Sequence, residues 1–457
     1  MHSIDYVILS IILFITLCIG LYAGRNIKNI RSFAVGAQKY GFFTVFATLS
    51  ASYIGGGYTF GISEKVFQFG IVSAFCLFGF SFQQILVSQF IVPRISPHRH
   101  CISAGDIMEK FYGKWGRILT GATGALVCMG ITGAQVSATG YVFQLFLGID
   151  QSIGILIGCS IVLIYSVFGG IKAVVATDVL QFCILIIAIP LAFLYGLSHI
   201  GSLDTLMATL PKNHLSFPGS LSWTEIISLS LSLLLGEALV PPYIQRLFIG
   251  KNTRITRLSI LSSGLMSIPF FLIAGGLGLL SLSINPQLNP HMSLPFVIDT
   301  VLPTGLRGFA VAGIICVIMS SADSFLNASA ISIVHDIIKP LKKDVLSTHN
   351  ELNLTRIATL LIGSGAIVFA LCIQSVLDIL LYSYMFWAPI ILVPFIFGIF
   401  GHTISLKDLF WTSLCSCLSV VSWNVLLKNT GFDGLVVGVF CSFIMFLYFL
   451  GKKHICT

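Results

Sequence analysis

Two hydroxyls stand side by side at Ser320 and Ser321, inside the run MSSADS from Met319 to Ser324. Sodium is a hard cation that takes oxygen ligands, and neutral hydroxyls with backbone carbonyls can replace its water shell without adding a full negative charge. The same serines can instead bond the carbonyl four residues back in their own helix, so the run alone leaves both readings open. Acids form a second group: Asp178, Glu237, Asp323 and Asp378 lie in long apolar stretches with no comparable set of basic residues expected at their depth. An ionisable group there is a functional candidate. Asp178 reads either as a residue on an ion exit path or as an interfacial helix N-cap. Glu237 reads as a protonated structural acid, a proton carrier or a substrate contact.

A third group concerns the backbone. Gly55, Gly56 and Gly57 are consecutive, and Gly236 and Glu237 precede Pro241 and Pro242 by a few residues. A helix interrupted in mid-bilayer exposes amides and carbonyls that only protein or a wet cavity can satisfy. Glycines for close packing and prolines for a kink are the plainer alternative. Enzyme chemistry finds little support. The chain has no Ser/His/Asp set, HExxH, phosphate loop or zinc spacing. Most of its 12 cysteines fall inside apolar segments, where a thiol acts as a small hydrophobe. No cofactor is expected, and no metal beyond sodium.

The elements that must position these groups follow from composition. Of 457 residues, 56% are hydrophobic and 9% charged, and the mean hydropathy is +0.97. That is too little charge to coat a water-facing surface, and the apolar segments are too long for a barrel, which leaves an all-α integral membrane protein. At about 20 residues per crossing, about thirteen spans are expected. They include 41–62 and 225–248, which hold the interruptions, a pair at 152–168 and 177–197 joined by a cytoplasmic loop at 169–176, and 306–334, which holds the serines. The first span lacks a basic n-region and a cleavage site, so it reads as a retained helix.

Lysine and arginine accumulate on the cytoplasmic side. With the N-terminus outside and the C-terminus cytoplasmic, all of the 25 basic residues except Lys65, Lys212, Arg307 and Lys428 fall inside. The charge of +8 is then a topology record, with nothing to suggest nucleic-acid binding. The interruptions fall in the second and seventh spans, each the first of a set of five, and sets of five have opposite orientations. Matched interruptions in inverted repeats point to a secondary transporter's substrate site. The expected organisation is an extra helix and loop at 1–40, a first repeat at 41–224, an inverted second repeat at 225–401, and two further helices with a short basic tail at 402–457.

In GGIKAVVATDVLQ from Gly169 to Gln181, in Gln245 with Arg246 and in MSSADS, the chain resembles the sodium:solute symporter family. The resemblance implies the leucine-transporter type of inverted-repeat fold, with one helix before the core and two after. It also implies a sodium ion held by the carbonyls of Ala51, Ile54 and Val317 and the hydroxyls of Ser320 and Ser321, and in some members a second ion near Asp178 and Ser324. Within the family, the run GGGY at Gly55 to Tyr58, Glu64 and YIQR at Tyr243 to Arg246 are similar to the choline-transporter branch. A quaternary ammonium is bound by ring faces. Tyr53 and Phe80 stand where that branch has aromatic cage residues, but Val240 and Leu380 stand where it has tryptophan. The resemblance thus implies a solute site at Tyr53, Gly55, Gly56, Gly57, Phe80, Glu237, Val240, Tyr243 and Leu380. The solute stays open between a choline-like cation, proline or another zwitterion, and a small organic anion.

The activity so implied is sodium-coupled import by alternating access, in a plasma (inner) membrane, with sodium, a small solute and the lipid bilayer as partners. A sodium ion crossing 100 mV contributes roughly 2.3 kcal/mol to accumulation. The alternatives are a proton-coupled or uncoupled carrier using Glu237 or Asp178, and a transporter-like sensor. Oligomeric state stays open.

Overall fold

The computed structural model describes residues 1–25, 29–36, 38–342, 347–373, 375–427 and 431–456. Lys28, Lys343 and Lys428, three of the residues used to set orientation, lie outside them. Ten helices among the described residues are long and apolar enough to cross a membrane. The second, fifth and seventh expected spans begin instead with shorter apolar helices, at Phe42–Tyr53, Gln151–Ser160 and Trp223–Leu235.

The first helix, α1 (Ser3–Gly24), fully buries only Asp5, Leu9 and Thr16 and leaves more than half of its residues exposed, as suits a helix at the lipid boundary. The expected second span is two helices, α2 (Phe42–Tyr53) and α3 (Gly56–Phe69), with α4 (Phe78–Leu86) following. Next come α5 (Ala104–Leu147) and α6 (Gln151–Ile200). The seventh span is likewise divided, into α7 (Trp223–Leu235) and α8 (Pro241–Ile249). The remainder is α9 (Thr253–Ile284), a short helix α10 (Ser293–Val301), α11 (Leu306–Ile331), α12 (Thr348–Cys372), α13 (Val376–Tyr384) and the terminal pair α14 (Leu406–Leu426) and α15 (Gly434–Cys456).

At the centre lies α11, which packs on α1, α5, α6 and α12 and crosses both α2 and α3. From Ala310 to Ile331 every residue except Met319 is buried, as expected of a helix with apolar or small residues on all faces. Its start is pinned by Asp5, whose carboxylate accepts the amides of Gly305 (2.7 Å) and Gly308 (3.1 Å). A carboxylate at a helix N-terminus satisfies free donors and meets the positive end of the dipole.

The pair of spans at 152–197 departs from expectation. No loop occupies 169–176; the chain is helical from Gln151 to Ile200, and the direction changes at Gly170, which has φ 56° and ψ −179°. That conformation is open essentially to glycine alone. Asp178 therefore lies two turns beyond the bend inside a helix, fully buried, and is not an interfacial N-cap.

Gly170→Ala is expected to cost about 1–3 kcal/mol of strain. Gly41→Ala, at the N-cap of α2 where an added Cβ would meet nothing within 4 Å, is expected to cost under about 1 kcal/mol. Thermal unfolding of the two purified variants checks the difference.

Candidate functional site

The first break is short. Ile54 closes α2 by donating to the Ser50 carbonyl (2.9 Å), and Gly55 opens α3. Carbonyls in the last turn of a helix, including that of Ala51, find no further donor within the helix. Thr59 reaches back to the Ile54 carbonyl with its hydroxyl (2.7 Å). Here α11 passes so closely that a Cβ on Gly55 would overlap the Ser321 hydroxyl. That hydroxyl is wholly buried and has no hydrogen-bond partner among the described residues. Ser320 donates its hydroxyl to Asp178, and Val317 is buried one turn earlier.

Asp178 is not an isolated acid. Arg246, from α8, lies 3.1 Å from its carboxylate, and both side chains are 0% exposed. Thr48 donates to the same carboxylate, and Arg246 donates to Thr48 (3.2 Å), to the Pro242 carbonyl (3.3 Å) and to Ser324 (2.6 Å). Ser324 in turn donates to the Ser320 carbonyl (2.7 Å). A buried ion pair survives in low dielectric only when further hydrogen bonds satisfy both partners, as they do here. The expectation that the membrane acids lack basic partners is thus corrected at Asp178, and Arg246 is no loop charge. Asp378 is corrected too: it sits in the first turn of α13, 39% exposed, and pairs with Lys65 at 3.0 Å. Asp323 is buried on α11 beside Ser324. It lines a cavity of about 310 Å³ between α1, α6 and α11, among Thr16, Gly170, Thr177, Gln181 and Asn327.

The second break runs over residues 236–240. Leu239 takes a positive φ of 56°, Val240 is extended, and Pro241 and Pro242 start α8 at positions where no amide is needed by the helix. The exposed backbone is satisfied from other helices: Gln83 donates to the Leu234 carbonyl (2.8 Å) and Trp387 to that of Ala238 (2.9 Å). Glu237 points into a cluster of phenols. One carboxylate oxygen accepts from Tyr243, the other from Tyr58 and from Tyr384 (2.7 Å), and the hydroxyls of Tyr58 and Tyr384 are 2.5 Å apart.

Ring contacts join this cluster to the first break. Tyr53 stands edge-on to Tyr243 (centroids 4.1 Å apart) and to Phe80 (5.7 Å), and Phe80 stacks on Tyr58 (4.5 Å). Gly57 donates its amide to Gln135 (2.9 Å), and a Cβ there would press on Leu380 at 3.0 Å. A Cβ on Gly56 would overlap Ile318. Tyr53, Phe80, Glu237 and Tyr243 are therefore in one connected, buried cluster, with Gly57 and Leu380 on one flank. Val240 is buried as the cap of α8 and makes none of these polar or ring contacts.

Sequence reasoning missed several participants. Tyr58 was visible inside GGGY, and Arg246 inside YIQR, but no spacing assigns Tyr384, Thr48, Gln135 or Trp387. It also missed Asp106, His335 and Asp336, close enough together to hold a metal ion. Arg117 already supplies the cation there, 3.2 Å from Asp106 and 3.3 Å from Asp336.

Residues 33–415 match the sodium:solute symporter family. The chain is 25% identical over 398 residues to the high-affinity choline transporter 1 of Drosophila melanogaster, covering 81% of this chain and 62% of that protein's length. It is 24% identical over 390 residues to a sodium/proline symporter of Staphylococcus aureus, covering 80% of this chain and 75% of that one. In structure it is similar to a Na+-coupled sialic acid symporter, with a TM-score of 0.83 at 20% identity over 99% of this chain and 98% of the other. That likeness establishes the leucine-transporter type of helical fold.

Arg246→Gln strands a fully buried carboxylate and is expected to cost about 3–5 kcal/mol. The double variant Arg246→Gln/Asp178→Asn removes both charges and recovers part of that loss. A double-mutant cycle on thermal unfolding measures the recovery; additive losses refute the pairing.

Proposed function

Because the chain belongs to the sodium:solute symporter family, we propose that it imports a small organic solute together with sodium by alternating access. The observation that carries this reading is the buried, unpartnered Ser321 hydroxyl facing Gly55 at the interruption of the second span. A buried hydroxyl without a partner is costly. A sodium ion between α2 and α11 would supply that partner, taking the carbonyls of Ala51, Ile54 and Val317 and the hydroxyls of Ser320 and Ser321. Ion binding would then hold α2 against α11, which couples sodium to the relative position of the two repeats, 41–224 and 225–401.

At Asp178 and Ser324, the pair expected near a second ion, the guanidinium of Arg246 already bridges the oxygens. In this reading Arg246 is a fixed cation, and one sodium accompanies each solute. The solute occupies the cluster around Tyr53, Phe80, Glu237 and Tyr243, with Gly55, Gly56, Gly57, Val240 and Leu380 shaping its walls. The protein lies in the inner membrane with its N-terminus outside and its C-terminus in the cytoplasm. The family match and the sodium-coupled proteins among its relatives favour sodium over proton coupling.

Uptake into proteoliposomes of choline, proline, betaine, sugars, pantothenate and carboxylates, each with sodium or with potassium in its place, tests the reading. Solute uptake that persists unchanged without sodium refutes it. Ser321→Ala is expected to weaken sodium activation about tenfold, the equivalent of about 1.4 kcal/mol for one lost ligand. Ser320→Ala combined with Ser321→Ala is expected to abolish it.

A further inference from the structure

Glu237 differs from most other buried or half-buried acids of the chain in having no cation. Asp178 has Arg246, Glu351 has Lys339 at 2.7 Å, and Asp336 has Arg117. No lysine, arginine or histidine makes an ion pair with Glu237 among the described residues. Its three phenol donors satisfy the carboxylate as a hydrogen-bond acceptor and spread its charge, but they are neutral. A buried carboxylate without a counter-charge is strongly disfavoured, and either a proton or a delivered cation relieves it.

The surroundings select the kind of cation. The phenol oxygens of Tyr58 and Tyr384 touch each other and Glu237, and each keeps lone-pair capacity beyond the bond it donates. Carboxylate and phenol acceptors converge there on one point. The rings of Phe80 and Tyr243 pack edge-to-face with that of Tyr53 beside this cluster, and an aromatic wall suits the apolar body and the positive charge of an amine. Anion recognition is poorly served. Pro241 and Pro242 remove two of the free amides that the N-terminus of α8 would otherwise offer, and the Gly57 amide is already taken by Gln135.

We propose that the solute carries a protonated amine with at least one N–H, and that Glu237 with Tyr58, Tyr243 and Tyr384 forms its receptor. This rests on the reading of the chain as a symporter whose solute sits at the breaks. The N–H replaces one phenol at the carboxylate and is accepted by the phenol oxygen it displaces. A quaternary ammonium can meet the rings but donates nothing, so it cannot take the place of a phenol at the carboxylate.

The test is methylation at fixed carbon skeleton, on the purified full-length chain in sodium buffer. The probes are ethanolamine, its N-methyl and N,N-dimethyl derivatives and choline; glycine, sarcosine, dimethylglycine and betaine; and proline with its dimethyl betaine. Thermal shift and competition for uptake are the readouts. Binding is expected to persist while one N–H remains and to fall about tenfold or more at the quaternary step. Glu237→Gln is expected to lose amine binding by about a hundredfold, two lost charge-assisted bonds at roughly 1.4 kcal/mol each, while sodium alone still stabilises it. If that variant does not fold, Tyr58→Phe is expected to narrow the step between the last N–H compound and its quaternary relative. Equal or tighter binding of the quaternary compounds overturns the proposal, as does a response only to anions or neutral solutes, no response to any amine, or unchanged amine binding in folded Glu237→Gln. A wild-type protein that sodium neither stabilises nor activates refutes the symport reading instead, whatever its amine preference.

Discussion

Backbone amides and carbonyls have no water to bond within a bilayer, so every interruption of a spanning helix must be repaired by protein. The organisation of the centre follows from that constraint. The break between α2 and α3 is repaired by Thr59 and Gln135, and the break between α7 and α8 by Gln83 and Trp387. Each of the last three comes from another element, so the two breaks are held in register by the surrounding helices. Among what the repairs leave over are carbonyls in the last turn of α2 and the Ser321 hydroxyl, while the Glu237 carboxylate is bonded but has no cation among the described residues.

Two different solutions to buried charge sit within the same centre. Asp178 and Arg246 neutralise each other and are bonded on all sides, by Thr48, Ser320, Ser324 and the Pro242 carbonyl. They tie α2, α6, α8 and α11 together through a closed network, and closed networks rigidify. Glu237 is hydrogen-bonded but uncompensated, and its partners are phenols on three different helices. The first arrangement suits a fixed frame, and the second suits a site whose occupant changes.

The spans, the two interruptions and the serines of α11 were legible in the sequence because each is a local property: twenty apolar residues, three glycines in a row, two prolines, adjacent hydroxyls. The bend at Gly170 was not. A glycine pair beside a lysine looks like a loop, and only the packing of α6 against α1 and α11 shows that the helix continues through it. Asp178 was misplaced with it, since its burial depends on that continuation. Tyr384 could not be assigned because its link to Glu237 spans 147 positions. A phenol in an apolar segment has no periodicity that distinguishes a core ring from a ligand. Trp387 shows the same limit: a tryptophan in a late span proved to be fully buried and bonded to the backbone of the second break.

The three phenols on Glu237 come from α3, α8 and the end of α13, that is, from the first interrupted span, the second, and the segment that closes the inverted half. One carboxylate is therefore a knot in which three strands of the architecture are tied, with cords that run into both halves of the molecule. In the proposed reading, a guest that loosened one cord would be felt at once by the other two, and news of its arrival would need no relay through the protein.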